Sequence, residues 1–306
     1  QNEMWMPLRN RSFLRSLTLS AFVGSIRPLD CGNCSSKRFP MRRFHESSHP
    51  SELGMYNVPD DFDYSKPTFV NYASTTGAFI GPFAEVRKTL DLDFHGNYIE
   101  DRQRLQDVFV LDVVCGAQAH PEGPWIIFTA GAMGAGKGHV IHWMHMNGYF
   151  ALPDIVQIDL DAFRSRLPEW PGYIERNPET AGSLTHRECG LCVEIAQEAA
   201  LVAEKNVWVD GSLRDHEWYT KVFEDIRQRH PKYRIAILHI AAPRDVVFER
   251  VRRREIVTGR RVPEAEVLRS LEAVPKSVLA LTPLVDFVVH IDNSDDGGGD
   301  PRITKY

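Results

Sequence analysis

The run Gly131-Ala-Met-Gly-Ala-Gly-Lys-Gly138 sets three glycines and a lysine at the spacing of a phosphate-binding loop, between an apolar run and a helical pattern. Glycines at these places let the backbone turn tightly and aim its N–H groups inward. The helix start adds positive dipole, and the lysine can reach the β- and γ-phosphates of a nucleotide. The expected nucleotide contacts are Gly131, Ala132, Met133, Gly134, Ala135, Gly136, Lys137, Gly138 and His139. One position departs from the pattern: Gly138 stands where a Ser or Thr normally follows the lysine and ligates Mg²⁺. The ion would then rest on carboxylates or bound waters, because Mg²⁺ keeps several waters and takes few protein ligands. The same gap leaves a second class of function open, a regulatory module that binds nucleotide without transferring phosphate.

A GTPase would carry an Asn/Thr-Lys-x-Asp segment, which is absent, and a motor or AAA-type ATPase would need far more chain. A small kinase fits better. It needs a carboxylate to take the acceptor hydroxyl's proton and arginines to neutralise charge in transfer. The carboxylate candidates are Asp159 and Asp161 in Gln157-Ile-Asp-Leu-Asp-Ala-Phe-Arg164, just past an apolar run and so at the carboxyl edge of a sheet. Either could serve as the general base; the plainer alternative for Asp161 is a helix cap beside Arg164. A second acidic strand end, Val207-Trp-Val-Asp-Gly-Ser-Leu-Arg214, offers Asp210, Ser212 and Arg214, with Asp210 on substrate or on a water of Mg²⁺, or else in an ordinary turn. Six arginines crowd Phe248–Pro263, the composition of a lid helix and loop. Arg252 and Arg253 read as a solvated face, and Arg250 and Arg260 as the candidates for the site.

Positioning these groups requires short apolar runs alternating with helices, the pattern of a parallel sheet covered on both faces. The runs are Trp125–Thr129, Ile155–Ile158, Val207–Val209, Arg234–Ile240 and Phe287–Ile291, and helices fit at His139–Met146, Arg187–Glu204, His216–Gln228, Pro243–Ile256 and Pro263–Leu271. The expected fold is α/β: a P-loop NTPase/kinase fold with a parallel sheet of about five strands. Residues 1–67 read as a basic leader, 68–123 as a helical extension, 124–293 as the kinase unit and 294–306 as a loose tail. In the extension, Leu105, Val108, Phe109 and Val113 form an apolar stripe, while Glu100, Asp101, Arg102 and Arg104 lie largely away from it. Thr185-His-Arg-Glu188 reads as a capping box at a helix start. Cys31-x-x-Cys34 with Cys189-x-x-Cys192 could hold zinc, and His139, His142 and His145 share a helix, but core or solvated roles fit these residues better.

The 306 residues are 43% hydrophobic and 25% charged, with a formal charge of −5, which describes an ordinary globular chain and no membrane or fibrous protein. Residues 1–50 carry eight Lys or Arg against three Asp or Glu, leaving 28 against 38 beyond, so the main body is acidic and unlike a nucleic-acid binder. Five cysteines argue for a reducing, intracellular compartment. Residues 6–27 contain no acid and are rich in Arg, Ser and Leu. They read equally as a mitochondrial transit segment or as a basic tail of a cytoplasmic protein, with Met4 and Met6 as candidate starts.

Over about residues 125–293 the chain resembles the zeta toxin family of P-loop kinases. The resemblance rests on Gly131–Lys137, Ile158-Asp-x-Asp-x-Phe-Arg164 followed by Pro168, Asp210-Gly-Ser212, and Thr258-Gly-Arg260 with Pro263, in the family's order. Leu92–Gln106 and the wording of the loop look like a eukaryotic branch. The resemblance implies phosphorylation of a hydroxyl on a nucleotide sugar, UDP-N-acetylglucosamine in the bacterial toxins, with ATP or GTP and Mg²⁺. It also implies Lys137 as the phosphate lysine, Asp161 as the base, Arg250 and Arg260 on phosphates, and Glu194 with Asp210 and Ser212 on the sugar. Asp and Ser stand here for the family's common Glu and Thr, and Glu188 is expected to be a cap rather than a ligand.

Overall fold

The computed structural model describes residues 56–295 and 299–306, so the basic leader up to residue 55 and the Cys31/Cys34 pair lie outside the described residues. A helical extension comes first: α1 (Thr68–Asn71), α2 (Ala84–Arg87), α3 (Leu92–His95) and α4 (Glu100–Val114). The alternating part follows with β1 (Trp125–Ala130), α5 (Lys137–Met146), β2 (Val156–Asp159), α6 (Leu160–Ser165), α7 (Trp170–Arg176) and α8 (Ala181–Val202). It continues with β3 (Val207–Asp210), α9 (His216–Arg229), β4 (Arg234–Ala241), α10 (Arg244–Thr258), α11 (Glu264–Leu281), β5 (Phe287–Asp292) and β6 (Arg302–Lys305).

The sheet order is β2-β3-β1-β4-β5-β6. Strand β1 runs parallel to β3 on one side and β4 on the other. All six of its residues are buried, which is why its sequence is a continuous apolar run. After β3 the chain crosses to the far side of β1 to make β4, so the carboxyl ends of β1 and β3 flank the switch point where such sheets bind ligands. Ile126, Phe128 and Ile158 pack one face against Phe109 of α4, Ile195 of α8 and Phe223 of α9. Ile127, Leu238 and Ile240 pack the other against Val140 and Ile141 of α5.

The five expected strands are present, with ends shifted by a residue or so. A sixth, β6, lies in the stretch read as a loose tail: Arg302–Lys305 pairs antiparallel with β5, and Ile303 joins the core on the α5 face. Four residues carrying a single apolar anchor give little periodic signal, and the edge of β5 supplies the pairing.

The charged side of α4 is also corrected. Arg102, set away from the apolar stripe, is 4% exposed. Its guanidinium donates to both carboxylate oxygens of Glu188 on α8 (2.6 and 2.9 Å) and to both of Glu169 beside α7 (2.9 and 3.2 Å), and it lies over the Tyr72 ring at 4.0 Å. Tyr72 donates its hydroxyl to Glu169, and Gln106 donates to Glu188. Thr185 and Glu188 therefore make no capping box: α8 begins at Ala181, both residues are fully buried inside it, and Glu188 is held ionised against the pull of its burial by Arg102. A second buried pair, Arg87–Asp107 at 2.7 Å, ties α2 to α4. The extension is thus joined to the sheet unit by charge as well as by apolar packing. Arg102→Met should cost about 3–5 kcal/mol in urea unfolding at neutral pH, because it strands two carboxylates in the core; a loss under about 1 kcal/mol would contradict this account of the joint.

His239 on β4 and His290 on β5 are register partners with their Nδ1 atoms 2.9 Å apart. Burial and the neighbouring imidazole push His239 down to about 4, and burial lowers His290. The unfolded chain takes these protons near pH 6.5 and the folded chain only further down, so stability falls as pH drops from about 6.5 toward 4. His239→Gln should flatten that part of the curve in urea midpoints measured from pH 7 to 4, and an unchanged slope would refute the assignment.

Candidate active site

The turn from β1 into α5 is built on two positive φ values, +88° at Gly134 and +85° at Gly136. A side chain there would also collide: a Cβ on Gly134 would lie 2.6 Å from the Val247 carbonyl oxygen, and one on Gly136 2.2 Å from Asn293 Nδ2. The loop is braced from outside by Asn293 Nδ2, which donates to the Ala135 carbonyl at 2.8 Å, and by Arg250, which donates to the Ala135 and Asn293 carbonyls at 3.3 and 3.1 Å. Gly131 N donates to the Ser212 carbonyl at 3.2 Å, so the second acidic strand end supports the loop directly. Lys137 Nζ donates to the Gly131 carbonyl at 3.4 Å, across the concavity. Helix α5 starts at Lys137 itself, two residues before the expected start, and its first N–H groups and positive dipole end belong to this loop.

Asp159 and Asp210 end β2 and β3 as direct register neighbours. Asp159 caps α6 by accepting from the Asp161 N–H at 2.8 Å, so the capping role weighed for Asp161 belongs to Asp159. Asp210 accepts from Thr129 Oγ1 at 2.6 Å. Burial, then the charge of Asp210, raises the Asp159 carboxyl above its ordinary range. Two adjacent carboxylates beside a phosphate loop are a hard oxygen donor pair suited to a cation. Mg²⁺ bound by one or two carboxylates, waters and substrate phosphates fits them, and a hydroxyl at position 138 is not required. Among the described residues no group of three or more His, Cys, Asp or Glu could hold a metal alone.

Asp161 sits in the first turn of α6 beneath a cluster of guanidiniums. It accepts from Arg164, from Arg260 on both oxygens (2.9 and 3.0 Å) and from Arg254 on Oδ2 (2.8 Å). Burial alone would raise this carboxyl; the charges of Arg260, Arg164 and Arg254 outweigh it and hold it below the usual range. Arg164 is itself fixed by Thr185 Oγ1 at 2.9 Å and the Gly182 carbonyl at 3.3 Å. His186 on α8 faces the same cluster, and burial followed by Arg164, Arg214 and Arg260 lowers it, which leaves it neutral at pH 7.

The structure thus joins Lys137, the glycine loop, Ser212 and Arg250 in one group, and Asp161, Arg164 and Arg260 in another. Glu194 is paired with His95 of α3 (3.1 Å) and Arg214 with Glu266 of α11 (2.9 Å). Among the described residues no hydrogen bond or ion pair joins either of them to Asp210 or Ser212. His139 and His142 are exposed, and His145 lies 2.9 Å from the Phe150 carbonyl. Cys189 and Cys192 are buried thiols that burial pushes upward, which does not suit zinc. The residues sequence reasoning missed are Asn293, His186 and Arg254. Only Arg254 left a signal, since it lies one helical turn after Arg250 and so on the same face.

Residues 112–297 match the family model described as zeta toxin. In fold, the chain is similar to a protein of the PezAT chromosomal toxin–antitoxin system of Streptococcus pneumoniae. The TM-score is 0.53 at 17% identity, over 65% of this chain and 81% of that one. It is also similar to the AvrRxo1-ORF1:-ORF2 complex solved with ATP, with a TM-score of 0.54 at 14% identity over 78% of this chain and 76% of that one. No curated protein matches the chain in sequence. No helix among the described residues is long and apolar enough to cross a membrane.

Proposed function

Because the chain belongs to the zeta toxin family, and so is a phosphotransferase with a P-loop kinase fold, we propose that it transfers the γ-phosphoryl group of ATP, or of GTP, to a hydroxyl of a nucleotide sugar such as UDP-N-acetylglucosamine. The carrying observation is Asp161, a carboxylate held ionised by arginines at the same sheet edge as Lys137 and the glycine loop. ATP as donor is further supported by the ATP of the AvrRxo1 complex.

On this reading the N–H groups of 131–136 and Lys137 hold the β- and γ-phosphates, with Arg250 and Arg260 neutralising charge that builds on them. Glu194 and Ser212, with Arg164 and Arg214, bind the acceptor, which Asp210 would reach through the water shell of the Mg²⁺ it helps to hold. Asp161 takes the proton from the acceptor hydroxyl as its oxygen bonds to the γ-phosphorus, while the bond to the β-phosphate oxygen breaks and ADP leaves. Asp159 and Asp210 would hold Mg²⁺, which supplies charge neutralisation on the phosphates.

The acceptor is identified by incubating the protein with ATP, Mg²⁺ and a panel of nucleotide sugars and weighing the products. One member should gain a single phosphate on its sugar. Phosphate found only on an acceptor without a nucleotide would overturn the acceptor class while leaving the kinase reading intact.

A further inference from the structure

One face of α8 runs from the arginines around Asp161 to the helical extension. Gly182 lies against Arg260, and its carbonyl accepts from Arg164. His186, one turn on, faces the same cluster. Gly190 follows after another turn: it is half-buried, yet no side chain and no other element comes within 4 Å of where its Cβ would be. Glu194 is one turn further, about 12 Å beyond His186 along the helix axis. Residues at this spacing share a face, so a bare dent lies between His186 and Glu194. Beyond Glu194 stands α3, capped by Asp91, which accepts from the Phe94 N–H at 3.0 Å, and ended by Gly96 at φ +70°. Arg187 of α8 fastens it, lying over the Phe69 and Phe94 rings at 4.2 and 5.0 Å and donating to the Asp93 carbonyl at 3.2 Å. The His95 ring of α3 is thereby buried to 1% exposure with Nε2 3.1 Å from Glu194 Oε1, while neither ring nitrogen has a hydrogen-bond partner among the described residues. The Glu194 side chain is 26% exposed and has no other ion pair or side-chain hydrogen bond among the described residues. A buried imidazole with both nitrogens unbonded costs the fold free energy, and with Arg187 already holding α3 it is not needed as a tether.

Taking Glu194 as an acceptor ligand, the reading on which this rests, we infer that the helical extension forms one end of the acceptor site, with His95 as a positioning residue: its ring N–H holds the Glu194 carboxylate toward the dent at Gly190, where that carboxylate accepts a hydrogen bond from a hydroxyl of the acceptor. A carboxylate on a helix surface turns among several rotamers, and fixing it in one before the acceptor arrives removes that ordering cost from binding. The ring and the carboxylate are close but out of line for a hydrogen bond, the state in which functional hydrogen bonds often stand before the substrate tightens them. The extension then does what the sheet unit does not do alone: it reads the part of the acceptor remote from the hydroxyl that takes the phosphate.

The test measures transfer kinetics of the full chain with ATP and UDP-N-acetylglucosamine, beside urea unfolding, for wild type, His95→Leu, His95→Gln, Glu194→Ala and the double variant His95→Leu/Glu194→Ala. His95→Leu removes two nitrogens that bond nothing and keeps an apolar filling, so the urea midpoint should hold or rise. The acceptor KM should rise about tenfold, with the ATP KM unmoved and kcat changed far less. His95→Gln, which keeps an N–H donor, should recover most of the acceptor KM. Glu194→Ala should raise the acceptor KM by itself, and adding His95→Leu to it should do little more, because the ring acts through that carboxylate. An unchanged acceptor KM in His95→Leu, a His95→Leu protein that does not fold, or effects that simply multiply in the double variant would overturn the inference and leave Glu194 as a ligand. An unchanged acceptor KM in Glu194→Ala would overturn the reading beneath it, and no transfer to this acceptor by the wild type would overturn both.

Discussion

Asp161→Asn should lower kcat for transfer by roughly 10²- to 10⁴-fold, the range a positioned general base contributes. The amide is nearly isosteric but cannot take up the hydroxyl proton. ATP binding should not weaken, because the arginines now on Asp161 gain freedom to turn toward the phosphates. In the wild type the rate should be flat through neutrality and fall only in acid. Burial pulls the Asp161 carboxyl up, but Arg260, Arg164 and Arg254 outweigh it, so the group is ionised and competent above its lowered pKa and loses competence as pH falls through it. An Asp161→Asn protein that folds, binds ATP and transfers phosphate at the wild-type rate would remove Asp161 from the mechanism.

Lys137→Ala should weaken ATP binding and lower kcat by about 10²- to 10³-fold, the cost of losing one fixed positive donor at the developing charge. The lysine lies across the loop from the Gly131 carbonyl, so the change removes charge where the phosphates sit without taking out a core side chain. Stability in urea should therefore stay close to that of the wild type, which separates this variant from Arg102→Met. Equal ATP affinity in Lys137→Ala and wild type would mean that the glycine loop is not the phosphate site.

The parts of the fold and site that were legible in the sequence are those set by local chemistry. The loop at Gly131–Lys137 could be read because two of its glycines occupy a backbone region that side chains disfavour, and because a buried parallel strand leaves a continuous apolar run before it. Asp159, Asp161 and Asp210 could be placed at the sheet edge because each follows such a run. What escaped depends on partners distant in sequence. Arg102 was set apart from the apolar stripe because helical periodicity counts an arginine as polar, while its acids wait 67 and 86 residues away. Thr185 and Glu188 imitated a capping box for the same reason: the motif is local, and the use of Glu188 is not. Strand β6 has only Ile303 to signal burial. In the arginine run, composition announced a charged lid without saying which members reach Asp161, and Arg254 and Arg260 do.

The most direct test of phosphoryl transfer through this site uses γ-labelled ATP, Mg²⁺ and a nucleotide-sugar panel, with wild type, Lys137→Ala and Asp161→Asn side by side. Label should appear in a sugar product with the wild type and fall by at least about a hundredfold with either variant. Tight ATP binding by the wild type with no labelled product, or equal product from all three proteins, would contradict the account.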